Sequence, residues 1–217
     1  MVTEYNSLHM NGLGANDLDL LRTVALFSLV AWASGLRLYL VAFALGIAGY
    51  NGWIELPAGL HVLQHPYVVA ASGLMLLVEF FADKVPWLDS AWDQVHTFIR
   101  VPAGALLAAG ATGDSVNALT VAAGILGGTI TAGTHFAKTG GRIALNTSPE
   151  PFTNWAASLA EDAAVLGGVW LAFAHPVAFL VLFALFVAFL LWLLPKLWRF
   201  VAALFRRLRG AAKPGAT

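Results

Sequence analysis

The chain has 217 residues, 59% of them hydrophobic and 11% charged, against roughly 25% charged in an ordinary soluble domain. That shortfall and the long apolar runs exclude an ordinary soluble fold and place the chain in the membrane class. Twelve Lys and Arg balance twelve Asp and Glu, so the overall charge points to no nucleic acid, and the absence of Cys excludes disulfides, thiol catalysis and thiolate metal sites.

Residues 1–17 form a polar, Gly/Asn-rich lead-in without a basic n-region or cleavage signal, so no secretory signal peptide is expected. Asn16 or Asp17 is suited to cap the first helix. A first span is expected over 18–50, longer than the roughly 20 residues a crossing needs. Ser34, Gly35 and Arg37 interrupt its apolar middle. The following loop carries Gly, Pro and two His, with no Lys or Arg.

A second span is expected over 66–82, opening on Pro66 in the first turn, where a missing N–H costs nothing. It carries Glu79, with Asp83 just beyond. After Pro86, Leu88, Trp92, Val95 and Ile99 recur at helical spacing, with Asp89, Asp93, His96 and Arg100 mostly on other faces. This pattern predicts a short interfacial helix. A third span over about 101–112 is short and rich in small residues, which suits close packing inside a bundle.

The fourth span, about 115–143, is interrupted in its middle by glycines and hydroxyls: GILGGTITAGTHFAKTGGR. A turn-forming connector, NTSPEP, leads to a fifth span over about 152–174. There Asn154, Ser158 and Asp162 fall four apart, on one stripe, with Glu161 beside it. His175-Pro176 makes a turn into a sixth, almost wholly apolar span over about 177–194. The tail at 195–217 is basic and amphipathic, suited to an anionic leaflet.

Six spans with the tail inside put the N-terminus inside as well. The inner segments then hold Arg22, Lys84, Arg100, Lys138, Arg142, Lys196, Arg199, Arg206, Arg207, Arg209 and Lys213, and the outer loops hold no Lys or Arg. The expected location is a membrane crossed several times, with both termini cytoplasmic. The expected fold is all-α and polytopic, with one transmembrane domain over 18–194 in halves at about 18–112 and 115–194. Ser34-Gly35-Leu36-Arg37-Leu38 can be laid on Ala132-Gly133-Thr134-His135-Phe136, and each stretch precedes a helix opening on Pro and an aromatic residue. Three helices per half make the second half inverted. A 3+3 inverted repeat with broken helices 1 and 4 is the pattern of many transporters, with a site near the midplane.

The candidate site follows from the cost of charge in hydrocarbon, at least about 2.5–3.5 kcal/mol for an unpaired group. Glu79, Asp83, Glu161 and Asp162 are the acids, Arg37 and His135 their candidate neighbours from the interrupted helices. Ser34, Gly35, Thr131, Gly133, Thr134, Asn154 and Ser158 would line the path. Each has a bland counterpart: Asp83 as a helix end in water, Arg37 as a structural partner, His135 as a satisfied core histidine rather than a proton carrier. Asp89, Asp93 and His96 carry metal-ligand atoms at helical spacing, although a solvated helix face explains them as well. No HExxH, GxSxG or phosphate-cradling loop occurs.

The stretches ASGLRLYL, VEFFADKVPWLDSAWDQVHTFIRVPAGALLA and AGTHFAKTGGRIALNTSPEPFTNW resemble a bacterial family of small polytopic membrane proteins defined only as a domain of unknown function. The resemblance runs from about Leu26 to Leu194 and implies the membrane architecture. It brings no activity or catalytic residue. The residues themselves favour a small transporter or channel, cation- or proton-coupled, that needs no cofactor and has membrane lipids and a small ion or solute as partners. A homo-oligomer is compatible with the small-residue faces. A membrane-embedded lipid-modifying enzyme, metal-dependent or not, and a lipid-binding scaffold without turnover are the alternatives.

Overall fold

A computed structural model describes residues 15–85, 87–113, 115–146 and 151–211. The lead-in before residue 15, Pro86, Asp114, the connector 147–150 and the tail beyond 211 lie outside the described residues, as does the side chain of Asp89. The described residues form six α-helices and one 3-10 helix, with no strand. In chain order these are α1 (Ala15–Tyr50), the 3-10 helix Ala58–Gln64, α2 (Pro66–Ala82), α3 (Leu88–Gly110), α4 (Ala118–Asn146), α5 (Pro151–Ala174) and α6 (Pro176–Ala211). By length and composition α1, α5 and α6 can each cross a membrane, and the 3-10 helix with α2, bent by 68°, makes a fourth candidate. Large apolar side chains face outward on all sides of the bundle, among them Phe98, Leu106, Phe152, Trp170 and Leu191. These features mark a membrane protein.

The first helix is the centre of the molecule, and it is not straight. Arg37 has φ −145° and ψ 71°, outside the helical region. A straight helix would hold Arg22 and Tyr50 about 42 Å apart. Instead Asp19, Arg22, Thr23 and Leu26 line one cavity with Trp53, Ile54, Glu55 and Pro57 of the following loop. The two halves of α1 therefore run in opposite directions, meet at Arg37 and both end at the same end of the bundle. The neighbours agree. Before the vertex, the carbonyl of Ala31 and then the backbone at Gly35 meet Thr131, while Trp32 lies against Gly168. After it, Gly73 faces Phe43 and Val69 faces Gly46.

The expectation of a first span crossing from 18 to 50 is thus corrected. The start of α1 lies beside Ala172 and Phe173, where α5 ends, and α6 runs 36 residues away from there, so the start of α1 and the far end of α6 lie at opposite ends of the bundle. The cause is local. Once Arg37 leaves helical geometry, its guanidinium reaches acids on both sides, and a straight helix would present it to one side only.

The expected break in the fourth span is absent: Ala118–Asn146 is a single helix. Its small residues are a packing surface. The position of a Cβ on Gly104 of α3 is already filled by the side chain of Thr131, and one on Gly133 would lie 3.1 Å from Leu190 of α6. Glycine and threonine here set close helix approach rather than flexibility.

The separate interfacial helix is also corrected. Residues 88–110 form one helix that continues through Pro102. Its polarity is inside-out: Val95, Phe98 and Ile99 are exposed, while Asp93, His96 and Arg100 are buried. The stripe expected to lie on an interface turns outward from the bundle, and the charged stripe faces inward. The tail likewise continues the sixth span as a single helix through Pro195. The bounds of α2 match the expected 66–82.

Candidate functional site

Four helix segments and the vertex of α1 bring their polar faces to one place: the end of α2, the start of α3, the last third of α4 and the first half of α5. Arg37 is fully buried. Its Nη1 bonds the Asp83 carboxylate of α2. Its Nη2 donates to the Ser158 hydroxyl at 2.7 Å and to the Ser158 carbonyl at 3.1 Å. Its Nε lies 2.9 Å from Asp162 Oδ1 and 3.3 Å from Glu161 Oε2. One guanidinium therefore joins α2 to α5, using the planar fork that suits Arg to several acceptors at once.

Arg100 repeats the arrangement one layer away. Its Nη2 bonds Glu79 of α2, and its Nη1 donates to Asp93 Oδ1 at 2.7 Å. Lys138 of α4 sits between the two guanidinium groups. Its Nζ lies 3.4 Å from Asp93, 3.5 Å from Glu161, and 3.9 Å from both Glu79 and Asp83. It also donates to the Leu36 carbonyl at 3.1 Å, holding the vertex of α1 from below. Arg142 closes the set, bonding Glu161 Oε1 at 3.1 Å and the Asn154 carbonyl at 3.1 Å.

Among the described residues, the network holds five carboxylates (Glu79, Asp83, Asp93, Glu161, Asp162) and four cations (Arg37, Arg100, Lys138, Arg142). Glu79, Asp83 and Asp93 are fully buried, whereas the Glu161 and Asp162 side chains keep 16% and 19% exposure. The network thus has one open edge, on α5. One oxygen each of Glu79, Asp83 and Asp93 is buried without a hydrogen-bond partner, as are the hydroxyls of Ser34 and Thr134. Orphaned polar atoms beside buried carboxylates are the features expected where a proton, cation or water is taken up.

The sequence profile of one family, described as a domain of unknown function (DUF4126), matches residues 24–196. The chain belongs to the DUF4126 family. All nine ionic residues of the network lie within the matched range. No curated protein and no solved structure matches the chain.

Within this DUF4126 fold the expected site residues divide. Arg37, Glu79, Asp83, Glu161 and Asp162 come together in the network. His135 stands at its edge. Arg100 Nη1 lies 3.3 Å from His135 Nδ1. A guanidinium only donates, so Nδ1 accepts and the ring proton sits on Nε2. Nε2 then donates to the Thr97 hydroxyl at 2.6 Å, and that hydroxyl passes its own proton to the Asp93 carbonyl at 3.1 Å. The histidine is fixed in one tautomer by neighbours on α3.

Of the expected path-lining residues, Ser158 bonds Arg37 directly and Asn154 bonds Arg142 through its carbonyl. Thr131 donates to the Ala31 carbonyl at 2.7 Å. Gly35 and Gly133 are helix contacts: a Cβ at Gly35 would lie 2.6 Å from the Thr131 carbonyl. Asp93 and His96 do not combine as metal ligands. Asp93 faces Arg100 and Lys138, while His96 bonds the Trp92 carbonyl at 2.8 Å and stacks on the Trp92 ring. No metal-binding group of three or more His, Cys, Asp or Glu occurs among the described residues.

Arg100, Lys138 and Arg142 were the residues that sequence reasoning left outside the site. The signal was present. Asp93, Thr97 and Arg100 share one face of a helix, as do His135, Lys138 and Arg142 on another, at i, i+3/i+4 and i+7. Placing the span edges beside these residues turned them into interfacial charges.

Proposed function

We propose that this protein is a small membrane transporter that moves a proton or another small cation through the buried ionic network. The observation that supports this most directly is Arg37 itself. It sits at the non-helical vertex of a folded helix and is held by acids from two helices that run past it on either side. Such a residue links the protonation of a carboxylate to a change of backbone. Taking up a proton or cation among five carboxylates and four cations alters which acid Arg37 holds, and so biases two packings of the vertex.

The moving element in this reading is α2. Its fully buried residues are Ser72, Glu79 and Ala82, while Val68 and Leu76 pack against the core from its inner face. Its firm attachments are the Glu79–Arg100 and Asp83–Arg37 pairs at one end and the 68° bend at Pro66 at the other. Neutralising either acid releases one end of a hinged helix. Glu161 and Asp162, the partly exposed acids, are then the point of access.

In the same reading α2 to α6 cross the membrane, and α1 enters and leaves on one face. The end carrying Lys84, Lys196, Arg199 and Arg206 faces the cytoplasm of a bacterial inner membrane, and the start of α1 faces outward. The α2–α3 and α5–α6 pairs then run in opposite directions, which keeps an inverted relation between those pairs and leaves α1 and α4 unmatched.

Flux in proteoliposomes tests the proposal. A trapped pH-sensitive dye reports movement under imposed gradients of H⁺, Na⁺, K⁺ and Mg²⁺. Wild type is expected to pass at least one ion, and Glu79→Gln and Asp162→Asn to lose that flux while eluting as monodisperse, folded protein. Full flux in both variants would sink the proposal.

A further inference from the structure

We propose that the ion passed through the network is a proton and not a metal ion, because the ammonium of Lys138 already holds the seat a metal cation would take; this rests on the transport reading above. The Lys138 side chain is 1% exposed, and its Nζ is ringed by five oxygens from four helices. Asp93 Oδ1 of α3 lies at 3.4 Å, Glu161 Oε2 of α5 at 3.5 Å, and Glu79 Oε1 and Asp83 Oδ2 of α2 at 3.9 Å. The Leu36 carbonyl of α1 lies at 3.1 Å. Carboxylates joined by a backbone carbonyl are the ligands a hard cation uses. Here a cation tethered to α4 fills that cage.

The surrounding charges exclude a second cation. The carboxylate oxygens that face Lys138 are the ones the guanidinium groups use. Glu79 Oε1 and Asp93 Oδ1 bond Arg100, Asp83 Oδ2 bonds Arg37, and Glu161 Oε2 lies 3.3 Å from Arg37 Nε. A metal ion bridging any two of these oxygens would stand beside the charges of Arg37, Arg100 and Lys138 and be repelled. On α4 itself, Arg142 follows Lys138 by one turn and adds another positive charge. His135, one turn before, is committed to Thr97 and Arg100.

The opposite oxygens, Glu79 Oε2, Asp83 Oδ1 and Asp93 Oδ2, are buried without a hydrogen-bond partner. They do not make a coordination shell: no group of three or more His, Cys, Asp or Glu among the described residues can hold a metal. A proton needs one oxygen and no shell. Its uptake turns one carboxylate into a carboxyl group, and its release restores the carboxylate. Lys138 also carries the event to the vertex. A proton on Glu161, at the open edge, removes one of the four attractions on Nζ, and the same ammonium holds the carbonyl of Leu36, the residue before Arg37.

Two measurements on the full chain test this. In proteoliposomes with a trapped pH-sensitive dye and radiolabelled sodium or rubidium outside, protons are expected to move and neither label to enter. Entry of sodium or rubidium overturns the proton assignment and leaves the transport reading standing. Movement of none of the three overturns the transport reading and the proton assignment together. Melting in detergent reads the seat without any flux. The wild type is expected to melt at one temperature in sodium, potassium, magnesium or choline chloride of equal ionic strength. Lys138→Ala, which empties the seat, is expected to melt about 2–4 °C higher in the sodium or potassium salt than in choline chloride. A folded Lys138→Ala as indifferent to metal as the wild type overturns the role given to Lys138, and so does a wild type stabilised by any of the metals. If Lys138→Ala folds in none of the salts, the wild-type melting and the label uptake decide.

Discussion

The two helices that look most alike in the sequence, α1 and α4, behave in opposite ways. Both carry glycine and hydroxyl residues in the middle of an apolar run, and both place a basic residue just after that interruption. In α1 the chain leaves helical geometry at Arg37 and folds back. In α4 the helix runs without a break from Ala118 to Asn146. Small residues therefore do not decide between a break and a packing face. The decision lies with the neighbouring charge. Arg37 has acceptors on two sides, at Asp83 and at Ser158, Glu161 and Asp162, and a bent backbone reaches them together. His135 meets Thr97 and Arg100 on α3 and the Gly35 backbone on α1, and a straight helix reaches all three.

The sharpest way to break this comparison is to ask where the ends of α1 lie. The native chain lacks Cys, so single cysteines report topology without background. With α1 folded, Asp19→Cys and Trp53→Cys react with a membrane-impermeant maleimide from one face, and Arg199→Cys from the other. A straight first span gives a different pattern, with Asp19→Cys labelled from the same face as Arg199→Cys and Trp53→Cys from the opposite face. The outcome is all or none.

The next largest effect is expected at the vertex. Arg37→Met keeps most of the side-chain volume and strips Asp83, Glu161 and Asp162 of a shared partner. Breaking a buried ion pair by removing one member typically costs about 3–5 kcal/mol. The corresponding change in α4, His135→Met, removes hydrogen bonds and no charge, and should cost about 1–3 kcal/mol. Thermal unfolding in detergent orders the two. If His135→Met is as damaging as Arg37→Met, the vertex has no special hold on the fold.

A smaller effect should separate packing from hinge. Gly104→Leu drives a side chain into Thr131 on α4 and should cost about 1–3 kcal/mol as overpacking. If the Gly/Thr face of α4 were a hinge rather than a contact, the same change would be absorbed with little loss of stability, and the melting temperature would decide.

Much of the helix pattern was legible because it rests on local rules. Pro66 in a first turn and a run of apolar residues up to Ala82 fix α2 residue by residue. The acids of α2 and α5 were legible as a site because hydrocarbon forces charges inward. The fold-back of α1 was not. An apolar stretch long enough to cross reads as a span, and only the tertiary partners of Arg37 show that it turns. Arg100, Lys138 and Arg142 were misread for a related reason. Counting charges segment by segment leaves open whether each faces water or the bundle. The exposed Val95, Phe98 and Ile99 show which face of α3 turns outward, and that orientation belongs to the whole bundle rather than to the local sequence.

The smallest expected change in stability carries the most about function. Asp162 keeps 19% exposure and meets Arg37 at 2.9 Å, while Arg37 retains Asp83, Ser158 and Glu161. Asp162→Asn breaks no hydrogen bond to the guanidinium and removes a charge that solvent already screens in part. Its cost should stay under about 1 kcal/mol, the usual scale of a partly exposed ion pair. If the network is a scaffold, flux and stability change together across Arg37→Met, Glu79→Gln and Asp162→Asn. If it is an ion path, Asp162→Asn departs from that line: it stays near wild type in melting temperature and falls with Glu79→Gln in flux, because it removes the carboxylate at the open edge without loosening the bond between α2 and α5.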